Sequence, residues 1–310
     1  MSKISFLKEL VTNPATRLYF LASHGFYHSM SDEEYINRLW NYRMDYPLNL
    51  DDPKTFCEKM QWLKLYDHNP EYTKLADKYE VKQIVADTIG SDHVIPLLGV
   101  WLDFDDIDFN ELPDRFILKA THDSGTFVIC RDKTRFDYKA ARERFKKAMK
   151  RNYYWGGREW QYKNIPPRII AEEYIDSLGK PESVEYKLTC MNGELKFTTV
   201  CTGIAHSAFS DRTNDSFDRD LNHMPWYAYY KNSDKPITLP DELPQMIEYA
   251  EKLSQGIPYV RVDFYLVDGQ IYFGEMTFNT WDGFLEFEPP EWDKKLGDML
   301  VLPPKNSLTY

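Results

Sequence analysis

Residues 260–279, VRVDFYLVDGQIYFGEMTFN, constrain the fold of this chain more than any other stretch. Two runs of alternating apolar and polar residues flank Asp268-Gly269, a dipeptide that favours a tight hairpin turn because both residues tolerate positive φ. Such a ribbon is marginal alone, so it implies further strands or a covering layer. Asp263 and Glu275 lie inside the strands, where acidic residues are uncommon.

Alternation with period two puts Val262, Phe264 and Leu266 on one face of the first strand, with Arg261, Asp263 and Tyr265 opposite. On the second strand Ile271, Phe273, Glu275, Thr277 and Asn279 fall on one face. A two-residue loop would set Glu275 against Val262 and Phe264, at a cost on the order of several kcal/mol for an unpaired carboxylate. The expected loop is therefore three residues, Val267 to Gly269, which makes Asp263 and Glu275 diagonal neighbours beside Arg261, Thr277 and Asn279. Two like charges so close need a cation between them. Mg²⁺ fits, since it takes one or two protein carboxylates and completes its shell with water and phosphate oxygens. The alternative is a surface hairpin neutralised by Arg261 alone.

The rest of the chain supplies a context. Helical spacing over 31–44, 52–67 and 72–90 predicts a helical first third, with a capping-box pattern at Ser31 and Glu34. After the segment 93–101 and an acidic loop, strands over 115–120, 126–132 and 167–175 enclose a basic helix at 138–151, a pattern that predicts a small α+β lobe. A hairpin over 185–200 turning at Asn192-Gly193, a helix over 242–256 and the acidic hairpin predict a larger one. The fold class is α+β, with boundaries at 1–112, 113–175 and 176–310.

Several function classes are excluded at this point. A net charge of −11 leaves no basic stripe for a nucleic-acid binder. No apolar run approaches the ~18 residues of a membrane span, and Lys3, Lys8 and Glu9 interrupt any signal-peptide core. A cytoplasmic protein is expected, with 17–30 read alternatively as a docking helix for peripheral association with an assembly complex. Cys57, Cys130, Cys190 and Cys201 have neither metal nor disulfide spacing and are expected as buried free thiols, and the seven His are scattered.

A phosphate site is suggested by FILKATHDSGTFVI, 116–129, where Lys119 ends a strand and the turn His122 to Gly125, with Ser124, offers backbone N–H groups to an anion. It is not a Walker loop. Lys78, in LADKYEVK, is either a second phosphate contact or half of a surface ion pair. Glu172 and Glu173 end a strand at a lobe boundary, where they either meet an adenine amine or ribose hydroxyl or are simply solvated.

Taken in order, these motifs, with NLDDPKTFCEKMQWLKLYD, LPDRFILKATHDSG, REWQYKNIPPRIIAEEYI, EYKLTCMNGELKF and YFGEMTF, resemble the TupA-like branch of the ATP-grasp superfamily over roughly residues 45–302. The resemblance implies two α+β lobes clasping ATP, the smaller acting as a lid, preceded by a helical N-terminal region. It implies that Lys78 and Lys119 contact phosphates, that Glu172, Glu173, Tyr174 and Ile175 form the hinge around adenine, and that Glu185 binds ribose. Arg261 matches the arginine that stabilises the reacting group, and Asp263 and Glu275 the Mg²⁺ carboxylates. The family's third ligand is an asparagine at the position of Thr277, so that role falls to Thr277, Asn279 or water. The chemistry implied is carboxylate activation by ATP through an acyl phosphate, then amine attack, with the carboxylate on a uronic acid or the amine from an amino acid or amino sugar, in an acidic surface polysaccharide or its precursor. Lys187 is the leading catalytic or substrate-binding cation, followed by Arg158, Arg212 and Arg219, with Gly283 in a loop beside the metal face. The residues between Thr202 and Tyr230 are expected to set substrate specificity.

Three alternatives stand beside this reading. Asp-x-Asp in DFDDID, 103–108, would suit a glycosyltransferase metal. An ATP-grasp phosphotransferase would yield a phosphorylated sugar, and a non-catalytic ATP-binding module would turn nothing over.

Overall fold

The computed structural model describes residues 3–175, 183–203 and 212–305. Three helix starts along the first third are set by side-chain caps that satisfy otherwise orphaned N–H groups. Asn13 accepts from the N–H of Thr16 at 3.1 Å, Ser31 from that of Glu34 at 3.2 Å and Thr55 from that of Glu58 at 3.2 Å. They open the helices Pro14–Ala22, Asp32–Arg43 and Phe56–Tyr66. The full reciprocal box forms at Thr55 and Glu58, whereas Glu34 turns to Arg38. The segment 17–30 is not one docking helix, because the helix stops at Ala22 and a turn follows.

The helix expected over 72–90 is broken in two, Glu71–Ala76 and Glu80–Ile89. The cause is local: Asp77 accepts from the N–H of Tyr79 at 2.9 Å, and the N–H of Lys78 leaves the helix for the carbonyl of Thr121 at 3.4 Å. Lys78 therefore sits at the break, tied to the turn after Lys119.

Among the described residues, β1 (Leu97–Trp101), β2 (Phe116–Ala120), β3 (Phe127–Cys130) and β4 (Ile169–Glu173) form an antiparallel sheet ordered β1-β4-β2-β3. The helix Tyr138–Ala148 packs Ala141, Phe145 and Ala148 onto Phe116, Leu118 and Ile169 and leaves its basic side solvated. Because β1 pairs with β4, the small lobe includes 97–101, which the boundary at 113 assigned to the helical region.

The larger sheet joins β5 (Glu185–Met191), β6 (Glu194–Thr202), β7 (Thr213–Asp218) and β8 (His223–Met224) to β10 (Tyr259–Val267) and β11 (Gln270–Thr277), while β9 (Tyr227–Ala228) pairs with β12 (Phe287–Glu288). One face, with Leu188, Cys190, Val260, Val262 and Phe264, is covered by the helix Leu243–Leu253. Each such side chain contributes about 1.5–3 kcal/mol by leaving water. On the other face only the end carrying Met191, Phe197 and Tyr259 packs on the N-terminal helices, through Trp40, Phe56 and Met60. The remainder is polar and borders a cavity.

In the acidic hairpin the turn is two residues, not three. Val267 pairs with Gln270, and Asp268 and Gly269 take φ of 50° and 79°. The expected consequence, opposite faces for the two carboxylates, does not follow. A bulge at Gly274 inserts one residue, so Phe264 pairs with Phe273 but Asp263 pairs with Glu275. The bulge also divides the second strand: Ile271 and Phe273 lie in the core with Met276 and Phe278, while Glu275 and Thr277 take the opposite face. A bulge changes which face a strand presents. Gly274 suits it, since a Cβ there would lie 3.1 Å from the Asp263 carbonyl oxygen.

Candidate active site

Arg261 is the centre of the site. Its Nε and Nη2 donate to the two oxygens of Asp263, both at 2.6 Å, and Nη2 reaches Glu275 Oε1 at 3.3 Å. A planar guanidinium suits this fork. Lys187, opposite Asp263 on β5, donates to Asp263 Oδ2 at 2.8 Å and pairs with Glu185 at 2.8 Å. Asp263 is buried; burial opposes its charge, but Arg261 and Lys187 outweigh that and hold its carboxyl below the usual range. Lys187 is correspondingly raised, with Asp263 the principal cause against burial.

Glu275 differs from its partner. Its side chain is 46 % exposed, and Thr277 donates to its Oε1 at 3.3 Å. Glu275, Thr277 and buried Asn279 all line the cavity, which measures about 550 Å³. Asp263 does not line it and lies behind Arg261 and Lys187. The oxygen donors suit Mg²⁺. Each Asp263 oxygen keeps a second lone pair beside its hydrogen bonds, so the cations do not preclude metal binding. Among the described residues no three His, Cys, Asp or Glu are grouped to hold a metal.

The residues expected to contact phosphate form a second cluster. Lys119 pairs with Glu172 at 2.5 Å, and so does Lys82, at 2.6 Å. Glu172 is buried, yet the two lysines override burial and lower its carboxyl. Its carboxylate is thus engaged by lysines on either side, which the hinge assignment did not anticipate. Lys82 stands in the quoted LADKYEVK without a role given to it; its spacing of four from Lys78 was the available signal. Lys78 Nζ donates to the Asp123 carbonyl at 2.5 Å; its proton is held less tightly than usual because it is buried, with Glu275 the leading charge opposing that. Lys78 therefore lies within electrostatic reach of the acidic hairpin.

In the turn itself Ser124 is exposed and borders the cavity, and Gly125 has φ of 91°. His122 is buried, with Nε2 3.1 Å from the Ala148 carbonyl oxygen. Glu173 is exposed, Tyr174 accepts from Arg131 at 3.1 Å, and Ile175 is half-buried. Glu185 borders the cavity and accepts from the Tyr265 hydroxyl at 3.3 Å.

The other expected cations separate. Arg212 lines the cavity and donates to the Tyr230 hydroxyl at 3.4 Å. Arg219 instead pairs with Glu251 on the surface. Arg158 is buried among Tyr35, Tyr154 and Trp155 and ion-paired with Asp32 at 3.0 Å, so it staples the segment 153–162 to the N-terminal helices and does not line the cavity. Gly283 packs on Gln61 and Met60, where a Cβ would come within 2.6 Å of Gln61 Nε2. Of the segment 202–230, expected to set specificity, residues 204–211 lie outside the described residues. The Asp-x-Asp motif is committed elsewhere: Asp103 caps the N–H of Asp105, and Asp105 pairs with Arg142 and Lys146. All four cysteines are free and buried. No helix among the described residues is long and apolar enough to cross a membrane.

Glu159 is the acid that sequence reasoning passed over. It is 7 % exposed, lines the cavity and stands in the aromatic run YYWGGREWQY. A single acid among so many rings was the signal.

The sequence model of the family described as TupA-like ATPgrasp matches residues 58–301. No curated protein matches the chain. Among solved structures, D-alanine–D-alanine ligase from Bacillus anthracis complexed with ATP is 16% identical at TM-score 0.40, covering 66% of this chain and 55% of its own. The ATP-grasp ligase PsnB, complexed with a phosphomimetic variant of its minimal precursor, Mg and ADP, is 13% identical at TM-score 0.42, covering 78% and 65%. L-amino acid ligase from Bacillus licheniformis is 11% identical at TM-score 0.42, covering 80% and 53%. The chain thus spans less than two thirds of the length of each.

Proposed function

Because the chain belongs to the TupA-like ATP-grasp family, we propose that it is an ATP- and Mg²⁺-dependent carboxylate–amine ligase. The observation that carries this reading is the pairing of Asp263 with Glu275 across β10 and β11, beside Arg261 and Lys187 at a polar cavity. The family's ATP-grasp character gives the α+β lobes their roles: the small lobe closes over the nucleotide, with Lys78, Lys119 and the turn His122 to Gly125 toward the phosphates. Glu172 to Ile175 border adenine and Glu185 the ribose. In that arrangement Glu172 acts through Lys119 and Lys82, fixing their ammonium groups.

Mg²⁺ would be held by Asp263 and Glu275, with Thr277, Asn279 or water completing its shell, and would offset charge on the transferring phosphoryl group. Arg261 and Lys187 stabilise negative charge that develops as the substrate carboxylate is phosphorylated and then attacked by the amine. The site holds its cations in place before the reaction, so little reorganisation is needed. The substrate carboxylate is proposed to belong to a uronic acid of a surface polysaccharide or its precursor, a reading that rests on the resemblance drawn from the sequence motifs alone. Use of ATP and four free buried cysteines fit a cytoplasmic setting.

The test is ADP release with pools of uronic acids and amino acids, coupled to hydroxylamine trapping of the acyl phosphate. A carboxylate-dependent hydroxamate is expected. Nucleotide consumption that never depends on a carboxylate overturns the ligase.

A further inference from the structure

Resting on the ligase reading, we propose that the part of the cavity lined by Glu159, Tyr19, Tyr153 and Tyr162 binds the amine substrate as its ammonium ion, with Glu159 selecting for positive charge.

The argument starts from charge balance. Glu159 is buried, with 7 % of its surface exposed, and it makes no ion pair among the described residues. Its Oε2 accepts from Gln161 Nε2 at 3.1 Å; its Oε1 accepts from no described group. The charges that act on it most are Asp282 and then Lys64, followed by Glu275. Lys64 is already committed, donating to the carbonyls of Gly157 and Asp282 and to Asp282 Oδ1 at 2.6 Å. Asp282 Oδ2 is buried without a hydrogen-bond partner. A buried carboxylate without a cation is costly, and a cationic ligand removes the cost.

The surrounding rings match the same ligand. Tyr153 and Tyr162 meet edge to face with centroids 4.8 Å apart, and Tyr19 lines the same part of the cavity. Tyrosine faces attract an ammonium group, and their hydroxyls accept from it. The segment is also drawn in tightly. A Cβ on Gly156 would fall 2.4 Å from Tyr19 Cζ, and one on Gly157 2.4 Å from Asp282 Oδ1. Arg158, in the left-handed region at φ 57° and locked among three rings, fixes the backbone from which Glu159 projects.

The cavity therefore has two poles. At one, Lys187 and Arg261 are paired with Asp263, Glu185 and Glu275; at the other, Glu159 faces a group that is positive. Burial, reinforced by Asp282, pushes Glu159 up to about 8, and a cation beside it would draw it down again.

The test uses the full chain with Mg²⁺ and a non-hydrolysable ATP analogue at about pH 7.5, just below the α-amino range of roughly 7.7–8.0 and close to the raised value of Glu159, so that the ammonium ligand and the Glu159 carboxylate are both populated. Calorimetry compares L-alaninamide, which is cationic, with neutral N-acetyl-L-alaninamide. L-alaninamide is expected to bind about tenfold tighter or more, and Glu159→Gln to remove that margin while ATP-analogue affinity is unchanged. Equal binding of the two probes to the wild-type protein, no binding of either, or an unchanged margin in E159Q overturns the proposal; the wild-type comparison holds even if the variant does not fold. ADP release with carboxylate pools is measured separately. If carboxylate-dependent release is seen and the probes do not discriminate, the inference fails and the ligase stands; the reverse result removes the ligase alone.

Discussion

Asp263 and Glu159 are two carboxylates buried to nearly the same depth, at 3 % and 7 % exposure, in walls of one site, and their proton affinities move in opposite directions. Asp263 is held below its ordinary range by Arg261 and Lys187 against the effect of burial, whereas Glu159 is pushed up to about 8 by burial and then by Asp282. Depth alone decides neither. What differs is the neighbour: a bidentate guanidinium and an ammonium on one side, another carboxylate on the other. The comparison teaches that the cationic pole is complete within the chain, while the acidic pole is left for something else to complete.

The largest expected effect comes from turning the first carboxylate into the second. Arg261→Met leaves Asp263 with Lys187 alone and should cost about 3–5 kcal/mol, the range for breaking a buried pair, read as a fall in the urea midpoint at neutral pH. ADP release should vanish with it. A variant as stable as the wild type would show that Lys187 alone balances Asp263.

Next comes removal of the unbalanced charge. Between its ordinary value of 4.5 and about 8, folded Glu159 keeps a proton that the unfolded chain has released, so stability falls as pH rises through that window. Glu159→Gln lacks this penalty. It should match the wild type near the lower end and exceed it by up to roughly 4 kcal/mol at the upper end, at about 1.4 kcal/mol per pKa unit. Asp263 works in the opposite sense: its contribution is present above the ordinary carboxylate range and is lost as pH falls through its lowered value. Paired urea melts across pH read both.

Glu172 is the intermediate case, a buried acid with two lysines but no guanidinium. Lys82→Met should raise its proton affinity and cost about 2 kcal/mol, an effect that fades as pH falls through the shifted value. No change on this substitution would mean that Lys119 alone neutralises Glu172.

The sequence made the cationic pole legible and left the acidic one hidden, for a physical reason. Arg261, Asp263 and Glu275 lie on paired strands, where alternation fixes a face, and Lys187 comes from the strand beside them. Even there the loop was misjudged: period-two counting assumes an unbroken ladder, and the bulge at Gly274 corrected the face while the turn stayed at two residues. Lys82 was missed because its role depends on β4 crossing beside β2, a pairing between distant segments. The break at Asp77 was likewise set by a contact with Thr121, far along the chain. Glu159 is oriented by packing from Tyr19, Arg158 and Asp282, and no periodicity in REWQY encodes that.

The smallest effect concerns Glu275, the half-exposed acid of the hairpin. Thr277 stands opposite Arg261 in the register and bonds to Glu275 at 3.3 Å, so it orients the carboxylate whether or not its own oxygen reaches a metal. Thr277→Val keeps the shape and removes the hydroxyl. If Thr277 only orients Glu275, the Mg²⁺ half-saturation for ADP release should rise about tenfold, the lower end for loss of an orienting partner, with the maximal rate retained. If Thr277 is itself a ligand, Thr277→Asn should restore the affinity that Thr277→Val loses, because an amide oxygen replaces the hydroxyl. Failure of both variants to shift the Mg²⁺ dependence would assign the third position to Asn279 or water, and would leave the contrast between Asp263 and Glu275 to exposure alone.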